Sequence, residues 1–402
     1  MVKILVINSG SSSIKFQVIK MPTQETLCKG LVERLGFTDA RVTYETTELT
    51  HQEEKPIEDH HAGLLTIHSL ITHVDIGILE STDDIAIVSH RIVHGGSNFN
   101  EPVYITPEVL QRIDELSILA PLHNPANILG VKVAVSIFKK AKQIAVFDTA
   151  FHHTIPPVAF KYAIPNTIAD NHNIRVYGFH GTSHKYVSKK AIEFLGERSG
   201  KLITIHLGNG CSMTAIRDGK SIDHSLGFGP ANGLIMGTRS GDIDHSIIFY
   251  LMDSLGYSYQ QVNELLQKKS GLLGLTGFSD MRDIQREAAA GNSDCILALE
   301  MVAYRIKKYI GSYVAVLDGL DAIVFTGGIG ENSALLRSMI CKNLNAFGIV
   351  LNTEKNSELI SGPVISEINT SESTVKILVV PTNEELEIAR QCYSLVEIEN
   401  KC

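Results

Sequence analysis

Short apolar runs separated by small polar turns open the chain. Val2 to Ile7 is β-rich and leads into Asn8-Ser9-Gly10-Ser11-Ser12-Ser13, after which Ile14 to Ile19 forms a second β-like run. Two such runs around a Gly-centred polar turn predict a hairpin. The pattern returns near mid-chain, where Leu202 to Leu207 and Met213 to Ile216 flank Gly208-Asn209-Gly210-Cys211-Ser212. Laying Gly10 over Gly208 aligns both pairs of runs and both turns, so an internal duplication of one hairpin unit is the simplest reading. Further strands are expected at Ile85 to Ser89, Gln143 to Phe147 and Ala322 to Phe325.

Helix signals lie between these strands. Thr106 before Pro107 and Asn124 before Pro125 read as helix starts, because proline at the first helical position gives up an N–H that has no helical partner anyway. Thr182 or Ser183 is expected to cap a helix that stops at Gly196, and Ser279 to cap the segment Asp280 to Ala290. A long apolar helix is expected over Asp294 to Val316, and Thr382 with Glu385 reads as a capping box opening a last amphipathic helix. The charged, weakly patterned stretch Glu45 to Asp59 reads as a solvated loop or excursion. Hairpins early in each half, then strands alternating with helices, predict an α/β protein with mixed sheets.

At 402 residues the chain exceeds what one core usually organises, so two domains are expected. A formal net charge of −8 argues against a nucleic-acid partner, which asks for a basic face, yet leaves room for a small anion held by local arginines. Cys28, Cys211, Cys295, Cys341, Cys392 and Cys402 form no C-x-x-C pair, so reduced thiols in a cytoplasmic protein are expected rather than a disulfide framework. The apolar run Ile4 to Ile7 is too short for a signal peptide, and no run of apolar residues is long enough to span a membrane.

Candidate chemistry concentrates in five Gly-rich, polar segments at strand ends, where open α/β sheets bind ligands: Asn8 to Lys15, Ser89 to Gly96, Phe147 to His153, His206 to Ser212 and Thr326 to Asn332. Small residues there let backbone N–H groups approach phosphate oxygens, although any one of these turns by itself reads first as an ordinary tight turn. No Gly-x-x-x-x-Gly-Lys-Ser/Thr element is present, which excludes a P-loop nucleotide site. Arg91 and Arg239 sit in ligand-like turns, and a planar guanidinium suits carboxylate or phosphoryl oxygens; ordinary surface ion pairs are the plain alternative. Asp148 ends a β-rich run, where it reads as a metal ligand, a charge partner for an arginine, or a helix cap. His90 and His94, and the adjacent His152 and His153, carry no zinc-binding spacing. His123 precedes a helix start and reads equally as a cleft, core or capping residue.

Taken together, two polar-turned hairpins and a late T-G-G-I-G-E-N turn (Thr326 to Asn332) resemble the duplicated ATPase fold of actin, sugar kinases and Hsp70. The strings N-S-G-S-S-S-I-K (Asn8 to Lys15), S-H-R-I-V-H-G-G (Ser89 to Gly96) and F-D-T-A-F-H (Phe147 to His152) resemble the acetate kinase family. So do Y-G-F-H-G-T-S-H (Tyr177 to His184), H-L-G-N-G (His206 to Gly210), G-T-R-S-G-D-I-D (Gly237 to Asp244) and P-T-N-E-E (Pro381 to Glu385). The resemblance runs nearly end to end.

It implies two actin-like (ribonuclease H-like) ATPase domains with mixed sheets and an active-site cleft between them: residues 1–149 with 383–402, and a nucleotide-binding and dimerisation domain, 150–382. It further implies reversible, direct in-line transfer from ATP to acetate, giving acetyl phosphate and ADP, with Mg²⁺ (or Mn²⁺) and a homodimer. A carboxylate is already ionised at neutral pH, so the nucleophile needs no general base, and Asp148 is expected to orient Mg²⁺ or an arginine. By the resemblance Arg91 holds the carboxylate, His180 and Arg239 stabilise the transferring phosphoryl group, and Asn8 and Glu384 are associated with the metal. Val93, Leu122, Phe179 and Pro230 surround the acyl group. Lys15, His206, Leu207, Gly208, Asn209, Gly210, Asp280, Met281, Arg282, Gly328, Ile329, Gly330, Glu331 and Asn332 bind the nucleotide, with Ser11 and Ser13 as hydroxyl donors near the phosphates or merely turn formers.

One stretch departs from the family. Gly229, Ala231 and Asn232 stand where Thr, Leu and Glu are usual, and His245 where Pro is usual. These positions adjoin Pro230, so a propionate kinase of the same family is the nearest alternative. A switch ATPase of the actin or Hsp70 kind is the alternative from another class, but no stretch is left over for a partner-binding domain.

Overall fold

The computed structural model describes residues 1–121, 123–196, 200–360 and 362–399. The described chain forms two compact units, Met1–Ala150 with Asn383–Cys402, and Phe151–Thr382.

In the first unit the opening hairpin is β1 (Val2–Ser9) and β2 (Ser13–Met21), closed by a bond from the Gly10 N–H to the Ser13 carbonyl at 2.8 Å. The chain continues through β3 (Glu25–Glu33), β4 (Phe37–Thr46), β5 (Thr50–Ile57), β6 (Ile85–Ile92), β7 (Val103–Tyr104) and β8 (Lys142–Phe147). Their order across the sheet is β5-β4-β3-β2-β1-β6-β8-β7. Residue alternation along β1 builds two cores, as a period of two requires. Leu5 and Ile7 pack with Leu64, Ile67 and Ile71 of helix His60–Ile71 and with Val133 and Ala134 of helix Asn124–Ile137. Ile4 and Val6 pack with Ile388, Ala389 and Cys392 of the final helix, Glu384–Glu399.

The second unit contains β9 (Lys201–Leu207), β10 (Cys211–Arg217), β11 (Lys220–His224), β12 (Ala322–Thr326), β13 (Ser366–Glu367) and β14 (Lys376–Val379). Their order is β11-β10-β9-β12-β14-β13. β12 is buried at all five positions, which explains its unbroken apolar reading. The long helix Ser293–Leu317 buries Cys295, Ala298, Leu299, Val302, Ile306, Ile310, Tyr313 and Leu317, a stripe at helical spacing. The duplication read from the two hairpins extends to whole sheets. Three antiparallel strands followed by two parallel ones recur as β3-β2-β1-β6-β8 and β11-β10-β9-β12-β14.

Five local expectations are corrected. Glu45 to Asp59 is no loop: most of it is the turn and edge strand of the β4–β5 hairpin, with exposed and half-buried side chains alternating along β5. Charged residues at an edge strand discourage further pairing, and that polarity hid the strand. The helix expected from Thr182 or Ser183 begins at Gly181 and is preceded by His180 in a left-handed conformation (φ 53°). Asp280, not Ser279, accepts from the Arg282 N–H and caps helix Met281–Ala289. Asn124 is the first helical residue, and its side chain bonds His94 and Ile113 instead of capping. The Thr382–Glu385 capping box does not form, because Asn383 Oδ1 accepts from the Leu386 N–H at 3.0 Å and Glu385 turns elsewhere.

Gly30 of β3 lies between Phe16 and Tyr44, its partners on either side, whose rings stack at 6.3 Å. A Cβ there would run into the Phe16 ring and lie 2.6 Å from the Thr43 carbonyl oxygen. Gly30→Ala is therefore expected to lower stability by about 1–3 kcal/mol through overpacking. An unchanged denaturant midpoint would show that Phe16 gives way freely.

Candidate active site

Strand register brings the first cluster together. β1 and β6 run parallel with Ile7 beside His90, and β6 and β8 run parallel with Arg91 beside Val146. Asn8, Arg91 and Asp148 therefore emerge at the carboxyl ends of three neighbouring strands, where open sheets bind ligands. The Arg91 guanidinium donates to Asp148 Oδ2 at 2.9 Å and to Asn8 Oδ1 at 3.4 Å, and its Nε lies 3.8 Å from Glu384 Oε2. The Asp148 side chain is 1% exposed and Arg91 15%, so this is a buried, charge-assisted pair. Of the three readings open for Asp148, this contact is the arginine partner. Burial works against the Arg91 charge, but Asp148 and Glu384 outweigh it and hold its pKa above the ordinary value. Glu384 opens the final helix, and burial pushes its carboxyl up to about 7, with Asp148 and Glu385 adding to the rise against Arg91 and Lys15. Lys15, opposite Asn8 in the hairpin, pairs with Glu385 Oε1 at 2.7 Å, and Gln17 reaches Glu385 Oε2 at 3.4 Å.

Among the described residues no group of three or more His, Cys, Asp or Glu could hold a metal ion. That is compatible with Mg²⁺, which usually keeps several waters and takes only one or two carboxylates beside substrate phosphates. Asn8, Asp148 and Glu384 are hard oxygen donors of the right kind, and Glu384 retains 21% side-chain exposure.

The second unit carries two features. A cavity of about 800 Å³ is lined by Gly208, Asn209, Ser279, Asp280, Met281, Arg282, Gln285, Gly328, Ile329, Asn332 and Ser333. Ser279, Gln285 and Ser333 were not anticipated; Gln285 donates to Ser333 at 2.7 Å, a contact with no local sequence signal. His206, Leu207, Gly210, Gly330 and Glu331 were expected at the nucleotide but lie outside this lining, and Lys15 belongs to the other unit. Glu331 instead braces the turn, accepting from the N–H groups of Gly327 (3.0 Å) and Thr382 (3.1 Å). Gly327 has φ 78°, and a Cβ there would lie 2.7 Å from the Leu207 carbonyl, so glycine is required. Arg337, 1% exposed, donates to the carbonyls of Gly330 (2.8 Å) and Glu331 (2.9 Å) and to Asn356 Oδ1 (2.7 Å).

The other feature joins His180 and Arg239. A Cβ on Gly210 would lie 3.3 Å from His180 Nε2 and 3.7 Å from Arg239 Nη1, so both groups face the same small residue. Arg239 donates to the Pro230 carbonyl at 3.1 Å, which ties it to the stretch that departs from the family pattern. Burial presses its pKa below the ordinary arginine value. Val93 and Phe179 are buried, in the first and second units respectively, and Leu122 lies outside the described residues.

Sequence spacing gave no sign that five imidazoles meet here. The rings of His152 and His224 lie 4.1 Å apart, His180 and His206 4.6 Å, and His184 and His224 5.3 Å. Hydroxyls bridge them: His152 to Ser221, His184 to Thr204 and Ser212, His180 to Ser212, His206 to Ser183, and His224 to Thr214.

Each sheet thus has the strand order of the ribonuclease H-like fold, duplicated as in the actin-like ATPases, with polar clusters at strand ends. The chain belongs to the acetokinase family, whose pattern it matches over residues 3–390; its members are phosphotransferases with a carboxyl group as acceptor. It is 57% identical to an acetate kinase of Flavobacterium johnsoniae over 98% of this chain and 100% of that protein. A crystal structure of Porphyromonas gingivalis acetate kinase superposes with a TM-score of 0.92 at 42% identity, covering 98% of this chain and 100% of that one. A propionate kinase from Francisella tularensis superposes with a TM-score of 0.91, also at 42% identity, covering 97% and 99%. Among the described residues no helix is long and apolar enough to cross a membrane.

Four buried histidines make stability acid-sensitive. Burial lowers His90 and His94 to about 4, and burial with neighbouring imidazoles sets His184 and His224 well below the ordinary value. Their folded pKa values lie below the unfolded value of about 6.5, so the unfolded chain takes up protons that the folded chain refuses. Stability should fall as pH drops from about 6.5 towards 4, by up to about 1.4 kcal/mol per pH unit for each histidine. Equal denaturant midpoints at neutral pH and one unit below the unfolded pKa would contradict this.

Proposed function

We propose that this chain acts as an acetate kinase, transferring the γ-phosphoryl group of ATP reversibly to acetate to give ADP and acetyl phosphate. Identity of 57% to an acetate kinase along essentially the whole of both chains carries this reading. The chemistry agrees with it. Acetate is ionised at neutral pH and needs no base, and Asp148 is already committed to Arg91. The barrier is the approach of two anions, which positioned cations and donors lower.

Arg91, held by Asp148 and Asn8, grips the carboxylate of the acceptor. Arg239 and His180 donate to the oxygens of the transferring phosphoryl group, and Gly208, Asn209, Met281, Gly328 and their neighbours hold the nucleotide in the cavity they line. Asn8 and Glu384, with Asp148, would hold Mg²⁺ through hard oxygens; Mn²⁺ has the same preferences. When bound, the ion neutralises charge on the phosphates. The protein is expected to be cytoplasmic and homodimeric. Support for a dimer comes from apolar side chains left exposed on helices Ser246–Asp253 and Ser293–Leu317, among them Phe249, Tyr250, Leu297 and Tyr304.

A second acceptor, propionate, is favoured by one observation: Gly229 has open space where a side chain would stand, beside the Pro230 that Arg239 holds.

With Mg-ATP and acetate the purified protein should form an acyl phosphate that hydroxylamine traps, in a metal-dependent way. ATP hydrolysis indifferent to acetate, without hydroxamate, would point to a switch ATPase. Arg239→Ala and His180→Ala should each lower kcat by about 10²–10³ with little change in ATP binding. Arg91→Ala should in addition raise the KM for acetate, and an unchanged KM would remove Arg91 from the carboxylate. Glu384→Ala should raise the Mg²⁺ requirement.

Propionate should be turned over more slowly than acetate but not rejected, since one methylene is worth only about 1–3 kcal/mol in an apolar pocket. Val93→Ala should raise kcat/KM for propionate relative to acetate if Val93 walls that pocket. A core cavity would instead lower both together through stability. Wild-type preference for propionate would move the assignment to propionate kinase.

A further inference from the structure

We propose that Thr204, His184 and Ser212 are positioning residues that keep the ring proton of His180 on Nε2, so that His180 meets a phosphoryl oxygen as a donor. The proposal rests on the reading of His180 given above. Four groups form one line: Thr204 Oγ1 is 2.7 Å from His184 Nδ1, His184 Nε2 is 2.7 Å from Ser212 Oγ, and Ser212 Oγ is 2.8 Å from His180 Nδ1. Thr204, His184 and Ser212 are each 0% exposed.

A serine hydroxyl carries one proton. Placed between two imidazole nitrogens, it donates to one and accepts from the other, so the two rings cannot choose their tautomers independently. Two polarities satisfy the line. In the first, Thr204 O–H donates to His184 Nδ1, His184 Nε2–H donates to Ser212, and Ser212 O–H donates to His180 Nδ1. His180 then carries its proton on Nε2. In the second every bond reverses, and a neutral His180 carries a lone pair on Nε2.

The buried end of the line decides between them. Among the described residues the Thr204 hydroxyl has one hydrogen-bond partner, His184 Nδ1. Were His184 to donate there, the Thr204 proton would be left in the core without an acceptor, and an orphaned buried donor carries its full desolvation penalty. When Thr204 donates, only spare oxygen lone pairs remain, a milder loss. Burial and the neighbouring imidazoles keep His184 neutral, with a single ring proton to pass on. At the other end of the line, His180 Nε2 and Arg239 Nη1 both face Gly210. An N–H there adds a second donor beside the guanidinium, whereas a lone pair would repel an oxyanion.

The tautomer can be read without turnover by nitrogen NMR of the full-length protein labelled at histidine, with the His180 signals assigned by their absence in His180→Asn. A protonated Nε2 and a bare Nδ1 are expected in the wild type; a neutral ring with its proton on Nδ1 overturns the proposal. Thr204→Val keeps the shape and removes the donor, so His180 should become a tautomer mixture. Its kcat should fall about tenfold or more, short of the roughly 10²–10³ lost with the donor itself, at unchanged KM for ATP and acetate. Thr204→Ser should restore both tautomer and rate. A Thr204→Val protein with wild-type kcat and a single Nε2–H tautomer would also overturn it. Activity surviving in His180→Asn would refute the catalytic reading of His180 instead, and would leave the tautomer measurement standing on its own.

Discussion

A guanidinium and a carboxylate withdrawn from water repay their desolvation only when geometry is good and the remaining donors are used. Arg91 and Asp148 pair at 2.9 Å, and around this pair the first unit gathers its polar cluster, although Arg91 Nε makes no hydrogen bond among the described residues and has only the longer ion pair to Glu384. Three strands end at the same level, so Asn8 offers Oδ1 to one nitrogen of the fork and Asp148 takes another. The final helix places Glu384 on the third side, and Lys15 and Gln17 bind the neighbouring Glu385 so that the helix start cannot drift. Burial, with Asp148 and Glu385 close by, raises the pKa of Glu384, which leaves it able to gain from any added cation.

The second unit satisfies much of its polar burial with neutral groups. Its imidazoles are bonded by serine and threonine hydroxyls on β9, β10 and β11 and on helix Gly181–Leu195, and burial with the neighbouring rings holds His184 and His224 neutral. Arg337 is equally buried yet bonds only to carbonyls and an amide, and burial lowers its pKa to about 10. It grips the turn that supplies Gly328, Ile329 and Asn332 to the cavity, so a buried core residue positions the backbone that lines it. Fully satisfied networks of this kind specify one arrangement, because each member left unpaired would be costly.

Much of this was legible because local patterns carry it. The first hairpin, strands β6, β8 and β12, and the long helix Ser293–Leu317 follow from apolar periodicity and turn residues alone. Strand β5 did not, since an exposed edge strand need not be apolar. The cap at Asn383 was missed because Thr382 and Glu385 fit the local rule equally well, and only the burial of Glu385 against Lys15 and Gln17 broke the tie. His180, whose left-handed φ is an uncommon conformation for a residue with a Cβ, ends one segment and starts a helix without any cap signal.

The sequence by itself determined the class of chemistry, because polar strings such as N-S-G-S-S-S-I-K and G-T-R-S-G-D-I-D resemble, in order and nearly end to end, those of the acetate kinase family. It also determined the repeated hairpin, since both turns and their flanking runs are contiguous in the chain. Only the tertiary structure decided partners. Arg91 and Asp148 are 57 positions apart, Gln17 and Glu385 are 368 apart, and His180 reaches His184 through a serine 28 positions beyond the latter. Periodicity reports which face of an element is buried; which side chain lies across that face depends on sheet order and register, and these are settled when the strands pair.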